Sequence, residues 1–283
     1  MIKLENVETS GWEASIRVMH NSKNSWAKSD TSVCVVEDED KCKGCDAFRK
    51  NDGMFSFCTQ PFIIGPKDHD LMMRLRNAGT EHRKFMQMIT VYVDINAPLY
   101  WWEEFDTYNV GTVANSCSTM HKVADKEFTL DDFSCEFLLA DEPIPGRDYS
   151  AVGMMRATIY NLNRFRDLYL QTKDKKYWWQ MIQLLPSSYN KCRTVTLNYE
   201  VLANVYRQMK NHKLDEWQKF CEWIESLPYS EIITGRDVLN YEALTNVYKQ
   251  IQKHKLDEQQ KFCEWVETLP YSELITGGDH DDE

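Results

Sequence analysis

Apolar and polar positions along this chain follow two rhythms, one helical and one of strands. Leu71, Met72, Met73 and Leu75 cluster at helical spacing and Asp68 stands where an N-cap belongs, so residues 71–77 read as a helix. Gly79 ends it, and Thr80, His82 and Phe85 fall in the turn that follows. Residues 89–96 are rich in β-branched and aromatic side chains and read as a strand closing on Ala97-Pro98. Residues 99–108 read as the next helix, and 107–121 as a polar loop. Farther on, 141–149 is a loop, and 149–170 and 174–185 are helices, the second stopped by Pro186.

The C-terminal third contains an internal repeat. LNYEVLANVYRQMKNHKLDEWQKFCEWIESLPYSEIITG (197–235) recurs as LNYEALTNVYKQIQKHKLDEQQKFCEWVETLPYSELITG (239–277). Such close identity marks a recent duplication, and two copies fall short of the roughly three that a solenoid needs. Each copy reads as a helical hairpin. In the first, Leu197, Val201, Leu202, Val205, Tyr206 and Met209 form one apolar stripe and Trp217, Phe220, Cys221, Trp223, Ile224 and Leu227 the other. Lys210 to Lys213 is the polar break between them, either a solvated turn or a phosphate-holding one. The second copy has Gln259 in place of Trp217. The expected organisation is therefore a core over 1–235 and an appended hairpin with an acidic, disordered tail over 236–283.

Residues 31–61 read as an insertion, with short β-like runs flanking a charged, turn-rich middle. Cys42 and Cys45 are separated by two residues, Gly44 permits the tight turn, and Cys34 and Cys58 lie on the flanking runs. Four thiolates so arranged suit a structural zinc ion; free thiols or a redox pair are the alternatives.

Composition narrows the classes. The 283 residues can bury a sizeable core. A net charge of −11 argues against a nucleic-acid backbone as the main partner. No apolar run approaches the roughly 20 residues of a membrane span, and no signal-peptide pattern precedes Trp12. The nine cysteines, an odd number, fit a reducing, cytoplasmic compartment.

The order helix, Thr/His/Phe turn, aromatic strand, Ala-Pro, helix resembles the core of the flavin-dependent thymidylate synthases. A second unit, LNYEVLANVYRQMKNHKLDEWQKF, resembles their C-terminal asparagine-bearing helix, and SIRVMHNS fits their N-terminal segment loosely. The resemblance implies an α+β fold, here with a small Cys-containing insertion and a duplicated C-terminal hairpin. It implies FAD as cofactor, a nucleotide ligand, a homotetramer, and a place in viral or prophage nucleotide metabolism. Carried over residue by residue, the cofactor-binding positions are Ser22, Thr80, Thr107, Tyr108, Asn109, Thr112, Asn115, Asn198 and Asn204. The family's Arg-His-Arg motif falls on Thr107, Tyr108 and Asn109, and its later substrate-activating arginine falls on Met209. Glu103, Glu104 and Asp106 place negative charge one turn upstream, which a phosphate would meet unless Arg83, Lys84, His121, Lys122 or Lys210 compensates.

Family chemistry moves a one-carbon unit from methylenetetrahydrofolate to deoxyuridylate, with reduced flavin supplying hydride. Two functions remain. One is a nucleotide-binding protein on this scaffold without ordinary thymidylate synthase activity; the other is a flavin-dependent enzyme acting on a pyrimidine deoxynucleotide. No catalytic residue is assigned. Cys117, four residues before His121, is the one nucleophile the spacing offers.

Overall fold

The computed structural model describes residues 2–33, 62–108, 111–116, 118 and 122–235. Cys34, Cys42, Cys45, Cys58, Asn109, Cys117, His121 and the whole second repeat copy lie outside the described residues.

A four-stranded antiparallel sheet organises the chain, in the order β1 (Lys3–Ser10), β4 (Thr90–Pro98), β6 (Asn190–Asn198), β5 (Val113–Ser116). Period-2 alternation gives it one apolar face: Val91, Val93, Ile95, Ala97, Val195 and Leu197 are fully buried or nearly so. Tyr92, Asp94, Thr194 and Thr196 take the opposite face, where Thr194 Oγ1 and Asn6 Nδ2 donate to the Asp94 carboxylate. A two-stranded ribbon, β2 (Ser32–Val33) with β3 (Phe62–Ile63), closes the base of the 34–61 segment.

Helices cover the apolar face: α1 (Trp12–Asn21), α2 (Pro66–Asn77), α3 (Lys84–Met88), α4 (Leu99–Phe105). In α4, Trp101, Trp102 and Phe105 are all buried, so the paired tryptophans are core. Separately, α5 (Ala151–Thr172) and α6 (Lys175–Leu184) form a hairpin, capped by Ser150 and Asp174, that packs Ile159, Leu162 and Met181 on Val123, Phe128 and Phe133. The first repeat copy supplies α7 (Tyr199–Met209), α8 (Asp215–Ser226) and α9 (Ser230–Thr234), which complete the main core. Trp217 is fully buried against Trp101, with ring centroids 4.8 Å apart, and against Phe220. The first copy is thus structural.

Several boundaries differ from the sequence reading, each for a physical reason. Helix α2 begins at Pro66, whose missing N–H and fixed φ suit the first turn. Asp68 therefore lies inside the helix and is not its cap. The cap comes from Asp30, which accepts from the backbone of Lys67 at 2.9 Å and Asp68 at 3.1 Å. Helix α4 ends at Phe105, short of Tyr108. The expected loop 107–121 contains strand β5, because the free edge of β6 pairs with Val113–Ser116 whatever their polarity.

Candidate functional site

Helix α7 starts directly from the end of β6. Asn198 turns the chain, and its side-chain oxygen accepts from Val201 N at 2.9 Å. One face of α7 faces the core with Val201, Leu202, Val205, Tyr206 and Met209. Helical spacing then places Glu200, Asn204, Arg207 and Gln208 on an adjoining polar strip. Arg207 Nη2 donates to Asn204 Oδ1 at 3.1 Å.

The turn after α4 approaches this strip. Thr107 Oγ1 donates to Glu104 O at 2.8 Å, which holds it as a helix-end contact. Tyr108 OH donates to Gln208 Oε1 at 3.0 Å, joining turn and strip. Burial first, then the Glu104 carboxylate and the Cys221 thiol, push the Tyr108 phenol above its ordinary range, so it stays a donor. Gly111 has φ 77° and a Cβ there would stand 3.0 Å from Asn198 Nδ2, so glycine lets the chain pass close to the helix start. Next to it, Thr112 Oγ1 is buried with no hydrogen-bond partner. Thr112, through its neighbour Gly111, and Asn198 thus lie at the start of α7, Asn204 near its middle, and Tyr108 against Gln208 in its last turn, with Thr107 next to Tyr108 in the chain.

Two expected positions lie away from α7. Ser22 caps the end of α1 beside the His20–Asp68 contact, whereas it is the start of that helix, at Trp12, that packs on Tyr199. Asn115 pairs in register with Thr194 and so takes the outer face of the sheet, away from α7. Thr80 sits in the 3₁₀ turn that leads into Arg83 and donates to the neighbouring Glu81. Asn109 lies outside the described residues.

The acidic residues upstream are largely spoken for. Asp106 receives two hydrogen bonds from Arg193, at 2.6 and 3.2 Å, while the Arg193 guanidinium lies 4.1 Å above the Trp102 ring. Trp217 Nε1 donates to Glu104 Oε2 at 2.6 Å, and His212 Nε2 stands 3.5 Å from the other oxygen. His212 Nδ1 accepts from Leu214 N at 3.2 Å, so the polar break of the repeat is a turn tied to α4. The negative field expected around 103–106 is therefore weaker than the bare sequence implies. Lys210 and Asn211 line a cavity of about 300 Å³ together with Gln218 and Glu222 of α8. Among the described residues no group of three or more His, Cys, Asp or Glu is placed to hold a metal ion.

No family model matches the sequence, and no curated protein matches it. Solved structures do. Thymidylate synthase X from Helicobacter pylori, with FAD and dUMP, superposes with a TM-score of 0.54 at 15% identity, covering 85% of this chain and 100% of its own. A second structure of that flavin-dependent thymidylate synthase, complexed with FAD and dUMP, gives 0.51 at 15% identity, over 83% and 100%. The UMP/dUMP methylase PolB from Streptomyces cacaoi, bound with 5-Br UMP, gives 0.50 at 13% identity, over 83% and 95%.

The chain has the flavin-dependent thymidylate synthase fold.

The fold expectation from sequence holds, α+β class included. Along α7 several polar groups have hydrogen-bonding capacity left. Thr112 has a buried hydroxyl lacking a partner, Asn198 keeps its amide N–H₂ beside Gly111, and Tyr108 stays protonated. Charge comes from residues the motif comparison did not assign. Arg83 Nη1 stands 3.9 Å from Glu200 on the same side of α7 as Arg207 and Asn204. Helical periodicity alone was enough to place Arg207 beside Asn204; nothing in the sequence pattern places Arg83 there.

Proposed function

We propose that this chain is a flavin- and nucleotide-binding protein on the thymidylate synthase scaffold that does not carry out ordinary thymidylate synthesis. The observation that carries the reading is the placement of Tyr108, Thr112, Asn198 and Asn204 along α7, with Met209 buried in the core where an activating arginine is expected. The ligands of the structural neighbours, FAD with dUMP and 5-Br UMP, support the ligand class.

Thr112, Asn198 and Asn204 are the residues that would hold a flavin by donated hydrogen bonds, and Tyr108, whose proton goes to Gln208, would accept one. Bound flavin supplies hydride chemistry. What the 107–109 turn lacks is the charge that the family places on a nucleotide phosphate through its Arg-His-Arg motif. A dianionic phosphate desolvated without a cation costs several kcal/mol. Retention of Thr112, Asn198 and Asn204 favours the second reading, a flavin-dependent enzyme with an altered pyrimidine deoxynucleotide substrate.

Tritium release from C5-labelled deoxyuridylate, with FAD, NADPH and methylenetetrahydrofolate supplied, separates the two. No release above a protein-free control is expected. Release that disappears on Asn204→Ala establishes the enzyme instead.

Assembly and metal belong to the same reading. Val113, Phe137, Met154, Tyr160 and Trp179 are exposed apolar side chains, which supports a homo-oligomer, a tetramer by analogy with the fold. The zinc expectation for Cys34, Cys42, Cys45 and Cys58 rests on their spacing. No helix among the described residues is long and apolar enough to cross a membrane.

A further inference from the structure

Glu200 opens α7 and is only 8% exposed. Its Oε2 is buried without a hydrogen-bond partner, and its Oε1 is 3.9 Å from Arg83 Nη1, too far for a hydrogen bond. Arg207 lies two turns along the same face and binds Asn204 through one Nη2 hydrogen. Arg83 is held by its Nε, which donates to Arg76 O at 2.6 Å, so its two Nη groups point away from that anchor. Arg76 is committed elsewhere: its Nε and Nη2 donate to the carbonyls of Ile232 and Ile233 at the end of α9. One carboxylate therefore faces a surplus of guanidinium charge on a chain whose net charge is −11. Burial outweighs the pull of Arg83, Arg207 and Arg76 and holds the Glu200 carboxyl above its ordinary range.

We infer that Arg83 and Arg207, which flank Glu200 on one side of α7, form a phosphate-binding site with the Asn204 amide beside Arg207, and that Glu200 balances the two guanidiniums until the anion arrives. This rests on the reading of the same helix as a flavin and nucleotide site and supplies the charge that the 107–109 turn lacks. Guanidinium groups suit the task because each presents parallel donors to two phosphate oxygens. The helix is approached from its side, so the site depends on side chains and not on the helix terminus. The shared chemistry is a phosphoryl oxygen, carried either by the pyrophosphate of FAD or by a nucleoside monophosphate.

Calorimetric titration of the full-length protein with inorganic pyrophosphate, dUMP, deoxyuridine and FAD tests the site. Pyrophosphate should bind. Arg83→Gln and Arg207→Gln should each weaken it by roughly ten- to a hundredfold, the loss of a charge-assisted contact. Glu200→Gln should tighten it, because a competing carboxylate is gone; a merely structural role for Glu200 does not give that sign. Arg207 is exposed, so its variant keeps the fold even where Arg83→Gln does not. Whichever of FAD and dUMP loses affinity in the Arg207→Gln protein is the source of the phosphate. Pyrophosphate that fails to bind the unaltered protein, or binds it and the double variant equally, overturns the site. Arginine-dependent pyrophosphate binding without FAD or dUMP binding keeps the site and removes the nucleotide reading; FAD or dUMP binding indifferent to both arginines does the reverse.

Discussion

Asp68 shows how a single buried carboxylate holds three segments. Ser29 Oγ and Thr31 Oγ1 each donate to its Oδ2 at 2.6 Å, Thr31 N donates at 3.2 Å, and His20 Nε2 lies 2.8 Å from Oδ1. Burial alone pushes its carboxyl up; the bonds from Ser29, Thr31 and His20 together outweigh that and hold it below the ordinary range. A carboxyl with a depressed folded pKa contributes stability that is present above its unfolded pKa, about 4, and lost as pH falls through the folded value. Asp68→Asn should therefore lower stability by about 3 kcal/mol at neutral pH, measured by urea unfolding, and the gap to the unaltered protein should narrow below about pH 4. A gap that stays constant down to pH 2 contradicts the assignment. At this scale the sequence was only partly legible. Asp68 was visible as a helix-start residue, but its partners lie about forty positions away in the chain and no local pattern points to them. Glu104 and Asp106 likewise read as unopposed acids, because Arg193 and Trp217 reach them only through the sheet and helix packing.

Elements were legible where apolar spacing was strong. Helices α5 to α8 and strand β4 match their expected positions to within a few residues, since each buries a periodic face. Strand β5 was read as loop because Val113–Ser116 has no buried alternation of its own and exists by pairing with β6. Strand β1 was equally silent, although the Thr-Val-Thr-Leu alternation at 194–197 was a usable signal for β6. The repeat carries a quantitative test at this scale. Replacing Trp217 by the glutamine found in the second copy removes a fully buried ring and its contacts with Trp101, Phe105 and Phe220. Trp217→Gln should cost about 3–5 kcal/mol in chemical denaturation. A loss under about 1 kcal/mol refutes the role of the first copy as a core hairpin. Truncation after Gly235, conversely, should leave a folded, soluble chain with weakened self-association, because the described core closes within residues 2–235.

At the scale of the whole molecule, the exposed apolar side chains on and beside the α5–α6 hairpin call for a second copy. Light scattering at micromolar concentration should report more than one chain per particle, tetramers being expected; a monomer mass rejects it. Metal analysis should return about one zinc per chain, lost when Cys42 and Cys45 become serine while the main core still unfolds cooperatively. Protein that is metal-free as purified, with a melting temperature indifferent to chelator, rejects that site. The overall fold was legible because a long ordered succession of elements is hard to reach by chance. The ligand was less so, since Thr107, Tyr108 and Asn109 carry no charge and Arg83 and Arg207 belong to no motif the sequence displays. The account rests on ligand binding by the residues around α7, and titration with FAD followed by visible absorbance tests it most directly. The predicted result is saturable binding of oxidised flavin, weakened at least tenfold by Asn204→Ala with the melting temperature unchanged. Absence of binding, or binding untouched by that substitution, contradicts the account.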